Sequence, residues 1–170
     1  MATELEVKLT LSESAQSRAF EWLKGQPGAS EGPVKILVNR YYDTPNAGLN
    51  QARAALRVRQ AGYRYIQTLK TQGEFVNGAH RRQEWEWDLP GPDLDLGLLE
   101  QTPLRSQVDL DELALAFETN FQRRIIMLEQ AESVIEVALD SGEVVGGKRA
   151  RPLHEVEFEL KAGEPAALLE

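Results

Sequence analysis

Charged side chains at every second position of successive segments constrain this chain more than any other feature. The first segment reads Glu4-Leu5-Glu6-Val7-Lys8-Leu9. In a β-strand neighbouring side chains point to opposite faces, so the charged residues share one face and the apolar residues the other. The pattern returns at Arg57 and Arg59, Thr68 and Lys70, Arg82, Glu84 and Glu86, Glu136 and Asp140, and Glu155, Glu157 and Glu159.

Two arrangements explain this alternation. For any single strand, the simpler one is a polar face in water and an apolar face on a core. That explanation weakens for Glu155, Glu157 and Glu159, since carboxylates about 7 Å apart on one face repel unless cations meet them. If the sheet closes with its charged faces inward, acids and bases converge and the apolar faces point outward under helices. The available bases are Lys8, Arg57, Arg59, Lys70, Arg82 and Arg123.

Two segments are predicted as the covering helices. The first begins at Ser12 or Ser14 and ends near Lys24, where Gly25 stops it. The second has helical spacing near residues 109–118. A further helix begins in the final eight residues, GEPAALLE.

Turns are predicted from local residue chemistry at three places. They are Asp43-Thr44-Pro45-Asn46, a hairpin connection at Ala61-Gly62, and Asp140-Ser141-Gly142-Glu143.

Composition limits the kind of protein. The 170 residues, 42% of them hydrophobic, suit one domain over residues 1–170. A net charge of -8 argues against a nucleic-acid or acidic-membrane partner bound through overall charge, so any basic site is local. No apolar run reaches the roughly 20 residues of a membrane span, and no signal peptide is recognisable, so we expect a cytoplasmic protein.

The metal chemistry open to the chain is narrow. It has no cysteine and two histidines, which leaves carboxylates and the hard cations they prefer. A cavity with one carboxylate wall and one wall of arginine and lysine suits a polyphosphate held with Mg²⁺ or Mn²⁺. The pattern therefore indicates metal-dependent phosphoryl chemistry, in which an activated water attacks the terminal phosphorus in line.

An ordered set of motifs resembles the CYTH, or triphosphate tunnel metalloenzyme, superfamily. ELEVKL resembles its ExExK signature, which alone is weak; the other matches, over nearly the whole chain, are YYDTP (41–45), LRVR (56–59), TLK (68–70), RQE (82–84), ALDSGE (138–143) and EVEFEL (155–160). The resemblance implies an α+β fold: an eight-stranded antiparallel β-barrel forming a tunnel with a charged interior and helices packed outside.

The same resemblance implies roles for individual residues. Glu4, Glu6, Glu155 and Glu157 are the expected ligands of Mg²⁺ or Mn²⁺, joined by Glu159. Lys8, Arg57, Arg59, Lys70, Arg82 and Arg123 are the expected triphosphate contacts, with one residue of register deciding between Arg123 and Arg124. The expected catalytic residues are Glu4, Glu6, Lys8 and Asp140; for Asp140, holding metal or orienting water competes evenly with a role in starting a turn.

Among family activities, the motifs look closest to bacterial inorganic triphosphatases, which often carry a C-terminal helical CHAD domain. The resemblance thus implies hydrolysis of tripolyphosphate to pyrophosphate and phosphate, in what is then the N-terminal part of a longer protein. A class IV adenylate cyclase, a thiamine triphosphatase and a non-catalytic polyphosphate-binding module are the alternatives. A homodimer is left open.

Several conspicuous residues are expected to be structural. Trp22, Trp85 and Trp87 are predicted to pack helices on the barrel, and Tyr41 and Tyr42 to be strand residues rather than stacking platforms. Leu5, Val7 and Leu9 are predicted to form an outward face beneath a helix. Glu84 and Glu136 are expected either to hold basic side chains inside or to be surface charges.

Overall fold

The structure is a computed structural model that describes residues 2–71, 74–76, 79–130 and 132–163. The strands are β1 (Ala2–Thr10), β2 (Ala29–Glu31), β3 (Lys35–Asp43), β4 (Ala55–Ala61), β5 (Arg64–Lys70), β6 (Glu74–Val76), β7 (Ala79–Leu89), β8 (Ala114–Gln130), β9 (Ser133–Gly146) and β10 (Arg149–Ala162). The α-helices are α1 (Glu13–Lys24), α2 (Gly48–Gln51) and α3 (Leu96–Leu99), and 3-10 turns lie at Pro103–Ser106 and Leu110–Glu112.

Eight strands close into an antiparallel β-barrel. Their order is β1-β10-β9-β8-β3-β4-β5-β7, and β7 pairs back with β1. The short strands β2 and β6 add to β8 and β7. The predicted closed barrel is confirmed, and closure leaves the eight strands without a free edge.

The apolar core lies outside the barrel wall, as an inward charged face requires. One cluster packs Leu23 of α1 on the outer faces of β8, β9 and β10 through Ile126, Val137, Leu139 and Val156. Helix α1 follows the prediction: the Ser12 hydroxyl accepts a hydrogen bond from the Ala15 amide at 3.1 Å, and Gly25 ends the helix. Burying a leucine such as Leu23 stabilises the fold by about 1.5–3 kcal/mol.

A second outer cluster covers the opposite side of the barrel. Leu56 and Leu69 of the wall, with Trp85 and Trp87 beside them, pack against Leu49, Leu99 and Leu104. The covering residues come from α2 and from the largely irregular segment 90–113. Trp85 and Trp87 therefore pack on the outer face as predicted.

The helix predicted near residues 109–118 is wrong. Only a 3-10 turn forms at Leu110–Glu112, and β8 begins at Ala114. Residues 114–118 pair with β3, so long-range strand pairing overrides a local pattern compatible with a helix. Among the helices that the structure describes, none is long and apolar enough to span a membrane.

The turn predicted at Asp140–Glu143 is also wrong, because β9 runs straight through it between β8 and β10. Gly142 serves close strand approach there: a Cβ at this position would lie 2.0 Å from the Asn120 carbonyl oxygen. The actual turn follows β9, where Gly147 has φ +59°.

Two packing predictions also fail. Trp22 is 65% exposed, while its neighbours Phe20 and Leu23 make the contacts of α1 with the barrel. Leu9 is 46% exposed, since α1 lies over β9 and β10 rather than over β1. The helix predicted in the final eight residues lies outside the described residues.

Candidate active site

The barrel interior is a charged tunnel formed by two adjoining cavities of about 630 and 330 Å³. We call them the wide and the narrow cavity. Both are lined by Glu6, Arg57, Arg59, Lys70, Arg123 and Glu157. The alternation on each strand produces this interior, because every second side chain of a barrel strand points inward.

All twelve site residues expected from the sequence line this tunnel. The wide cavity contains Lys8, Arg82, Asp140 and Glu155; the narrow cavity contains Glu4 and Glu159; the six shared residues lie between them. Glu84 and Glu136 also line the narrow cavity, which places them inside rather than on the surface.

Strand register brings acids and bases together on the β1–β10 wall. Glu6 lies opposite Glu159 and Lys8 opposite Glu157. The Lys8 Nζ atom is 3.2 Å from a Glu155 carboxylate oxygen and 3.5 Å from one of Glu157. Burial disfavours the charged amine, but Glu157 and Glu155 outweigh it and raise the pKa of Lys8.

A second ion pair joins β1 to β5. The Lys70 Nζ atom lies 2.6 Å from a Glu4 oxygen, and both side chains are mostly buried. Burial opposes ionisation of Glu4, but Lys70 and further hydrogen-bonding and charged neighbours outweigh it and lower its pKa. In contrast, burial and the nearby Glu4 raise the pKa of Glu84 to about 8, so Glu84 is mostly protonated at neutral pH.

Register decides the Arg123 and Arg124 alternative in favour of Arg123. Its guanidinium donates two hydrogen bonds of 2.8 Å to the carboxylate of Asp140, the residue opposite on β9. Arg124 points outward, and its guanidinium carbon Cζ lies 4.0 Å from the centre of the Phe20 ring on α1. Asp140 lies within β9, so it does not start a turn. Its carboxylate instead binds Arg123 inside the tunnel.

Three guanidinium groups crowd the centre of the tunnel. Burial, together with the charges of Arg57 and Arg123, pushes the pKa of Arg59 down to about 9. The Arg57 Nε atom is buried and has no hydrogen-bond partner among the residues that the structure describes. Positive charge and donors are therefore in excess here, which favours an anion with several oxygens.

The carboxylates form two groups, each with ligand atoms within 4.8 Å of one another. One is Glu4, Glu6 and Glu159, and the other is Asp140, Glu155 and Glu157. Burial, Glu157 and Glu4 raise the pKa of Glu6, so its charge is only partly balanced by the protein. Grouped carboxylate oxygens of this kind fit Mg²⁺ or Mn²⁺. The expected ligands are thus divided between two groups, and Asp140 belongs to one of them.

Sequence reasoning missed several residues of this interior. Tyr41 lines the wide cavity and its ring stacks on Phe117 with centroids 4.7 Å apart. In the narrow cavity, the Lys161 Nζ atom lies 3.1 Å from a Glu159 carboxylate oxygen. Asn39 and Thr119 form a buried hydrogen-bonded pair behind the arginines. Period-two spacing from Tyr41, Glu159 and Arg123 was the available signal for Asn39, Lys161 and Thr119.

Comparison with known proteins agrees with this architecture. The family model described as the CYTH domain matches residues 2–170. The chain belongs to the CYTH domain family.

One curated relative is the inorganic triphosphatase of Haemophilus influenzae (strain ATCC 51907 / DSM 11121 / KW20 / Rd), which is 33% identical over 173 residues. The match covers 96% of this chain and 46% of that protein, so the chain spans about half of the relative's length.

Solved structures share the CYTH fold at lower identity. A Hippeastrum protein named for adenylyl cyclase, and described with a dominant triphosphatase activity, has a TM-score of 0.62 and 20% identity over 98% of this chain and 82% of that one. A Bacillus halodurans protein named for adenylate cyclase has a TM-score of 0.63 and 16% identity over 99% of this chain and 86% of that one. At these identities the likeness extends to the fold alone.

Proposed function

We propose that this chain hydrolyses inorganic triphosphate to pyrophosphate and phosphate in its tunnel, with Mg²⁺ or Mn²⁺ as cofactor. The observation that carries the proposal is the convergence of Arg57, Arg59 and Arg123 beside two groups of carboxylates in one interior. Tripolyphosphate matches this arrangement because its charged oxygens can meet guanidinium forks and carboxylate-bound cations together. The name of the 33% identical relative supports the same substrate.

Each charged group then has a task. Arg57, Arg59, Lys70 and Arg82 bind phosphate oxygens and stabilise the charge that develops on them during in-line attack. Arg123, held by Asp140, adds to this positive field. Lys8 holds Glu155 and Glu157 in place and is within reach of the substrate in the wide cavity.

The two carboxylate groups are the proposed cation ligands: Glu4, Glu6 and Glu159 in one, and Glu155, Glu157 and Asp140 in the other. A bound divalent cation would supply charge neutralisation at the phosphate oxygens and a more acidic water. Glu6 is suited to orient the attacking water, since burial, Glu157 and Glu4 raise its pKa despite Lys70 and Lys8, which makes its carboxylate a better proton acceptor.

An organic triphosphate, such as thiamine triphosphate or ATP, is the second candidate substrate. The stacked rings of Tyr41 and Phe117 at the wide cavity favour it, because Phe117 remains 40% exposed and could receive an aromatic group. Cleavage of such a substrate at its terminal phosphate would use the same charged centre.

Phosphate release from tripolyphosphate, ATP, thiamine triphosphate and pyrophosphate, each with Mg²⁺, Mn²⁺ or EDTA, tests the proposal. We expect metal-dependent release that is fastest with tripolyphosphate and absent in EDTA. Faster release from an organic triphosphate would select the second candidate. Tight binding of tripolyphosphate without hydrolysis of any substrate would make the chain a polyphosphate-binding module instead.

A further inference from the structure

A row of three polar residues crosses the barrel wall behind the tunnel centre. Asn39 of β3 lies opposite Arg59 of β4 on one side and opposite Thr119 of β8 on the other. The Arg59 Nε atom donates to Asn39 Oδ1 at 2.7 Å, and Asn39 Nδ2 donates to Thr119 Oγ1 at 3.0 Å. Asn39 is fully buried, whereas Arg59 and Thr119 line the cavity.

The amide of Asn39 is therefore held from both sides. Thr119 accepts from the NH₂ group, so the amide oxygen is turned toward Arg59. Among the described residues, this oxygen is the hydrogen-bond acceptor for Arg59, and it accepts from Nε only. The two terminal nitrogens of the guanidinium can therefore donate to a ligand. This pair of nitrogens forms the bidentate hydrogen bonds by which arginine binds two phosphate oxygens.

The neutrality of Asn39 distinguishes Arg59 from its neighbour Arg123. Arg123 donates two hydrogen bonds to the Asp140 carboxylate, and this carboxylate balances the positive charge of Arg123. Arg59 is oriented by an uncharged amide and keeps its full positive charge in a site already crowded by Arg57 and Arg123. A carboxylate at position 39 could accept from Arg59 and, with the Thr119 hydroxyl turned to donate, from Thr119, but it would cancel that charge.

We propose that Asn39, held by Thr119, is a positioning residue that orients Arg59 for the triphosphate while leaving its charge free for the ligand. Asn39 acts through Arg59 and does not touch the substrate. The inference deepens the proposed function and rests on it for the identity of the ligand.

The test measures tripolyphosphate binding by isothermal titration calorimetry in EDTA, which separates anion binding from metal-dependent turnover. We expect N39D to weaken binding at least tenfold, because aspartate still accepts from Arg59 Nε, and from the Thr119 hydroxyl once that hydroxyl turns to donate, but neutralises the guanidinium. Asn120→Asp is the matched control, since it makes the same change at a residue that does not line the tunnel and contacts Glu118. Unchanged binding by N39D would overturn the inference.

A double-mutant cycle separates positioning from general structural support. In an Arg59→Ala background, Asn39→Ala should cause no further loss of tripolyphosphate affinity, because its effect passes through Arg59. A further loss equal to that in the wild-type background would overturn the inference. If N39D does not fold, as judged by circular dichroism, Thr119→Val replaces it: we expect a few-fold weaker affinity, and wild-type affinity would overturn the inference.

The outcomes also separate this inference from the proposed function. Wild-type protein that binds tripolyphosphate but does not hydrolyse it with Mg²⁺ or Mn²⁺ would overturn the triphosphatase proposal and leave the Asn39 test intact. Wild-type protein that does not bind tripolyphosphate would overturn both.

Discussion

Arg123 on β8 and Asp140 on β9 face each other across the strand pair and form a two-point ion pair inside the barrel, with both nitrogen–oxygen distances at 2.8 Å. Asp140 is 2% exposed. Breaking a buried pair leaves an uncompensated charge. The loss of folding stability is therefore much larger than for breaking an ion pair on the surface.

Arg123→Met should therefore lower the free energy of unfolding by roughly 3–5 kcal/mol, because it leaves the Asp140 carboxylate buried without a partner. Urea unfolding monitored by tryptophan fluorescence measures the change. Arg124→Met is the matched control; it removes only the contact with Phe20 outside the barrel and should cost about 1 kcal/mol. Equal losses in the two variants would contradict the inward assignment of Arg123.

Glu6→Gln and Glu4→Gln should change stability in opposite directions. The folded state raises the pKa of Glu6, so its ionised form at pH 7 costs stability and a neutral glutamine should increase the unfolding free energy in EDTA. The pKa of Glu4 is lowered and Lys70 lies 2.6 Å away, so Glu4→Gln should decrease stability.

Both variants should also lose metal-dependent phosphate release, by roughly 10–100-fold or more. Glu143→Gln, at an exposed position of β9, should leave both stability and phosphate release near wild type. Wild-type phosphate release by Glu6→Gln at saturating Mg²⁺ would remove Glu6 from the cation site.

Arg57→Ala should weaken tripolyphosphate binding by roughly 10–100-fold, in line with about 1.5–3 kcal/mol for a charged hydrogen bond. The reason is that Arg57 lines both cavities at the centre of the tunnel, where its guanidinium offers charged donors to an anion. Comparing KM with kcat shows whether the contact strengthens in the transition state. Arg18→Ala, on the exposed side of α1, is the control, and an equally small effect of Arg57→Ala would place Arg57 outside the binding site.

Tyr41 should ionise at lower pH than an ordinary tyrosine. Burial opposes its ionisation, but Arg57 and further positive neighbours outweigh it and lower the pKa, whereas burial raises the pKa of Tyr42. Ultraviolet titration of wild type and Tyr41→Phe measures the difference. Tripolyphosphate should raise the pKa of Tyr41 by neutralising Arg57, so an unchanged titration curve with bound ligand would show that the anion binds elsewhere.

Gln16→Ala should reduce stability by about 1–3 kcal/mol for each buried acceptor left unpaired. Gln16 on α1 is buried and donates to the backbone carbonyls of Asp140 at 2.7 Å and Glu155 at 3.0 Å, which ties the helix to two strands of the site wall. The comparison is Gln26→Ala, which loses one exposed bond to the Trp22 carbonyl and should cost little. Equal unfolding midpoints in urea for the two variants would contradict this role.

Much of the tunnel interior could be predicted because strand parity is a local property. Glu4, Glu6 and Lys8 share a face wherever the strand lies, and the same holds for Arg57 with Arg59 and for the glutamates of β10. Asn39 and Thr119 were missed because an uncharged side chain on such a face carries no electrostatic signal. Their connection to the site appears only when the structure shows Asn39 hydrogen-bonded to both Arg59 and Thr119.

The sequence by itself determined the alternation, the start and end of α1, and the set of charged residues able to share an interior. Tertiary structure decided how those charges are grouped, because pairing across strands sets which residues face each other. It placed Arg123 rather than Arg124 inside, carried β9 through Asp140–Glu143, and turned residues 114–118 into strand. Register settled the position of Arg123, and in the other two cases backbone hydrogen bonds to neighbouring strands outweighed the preference of a short segment for a turn or a helix.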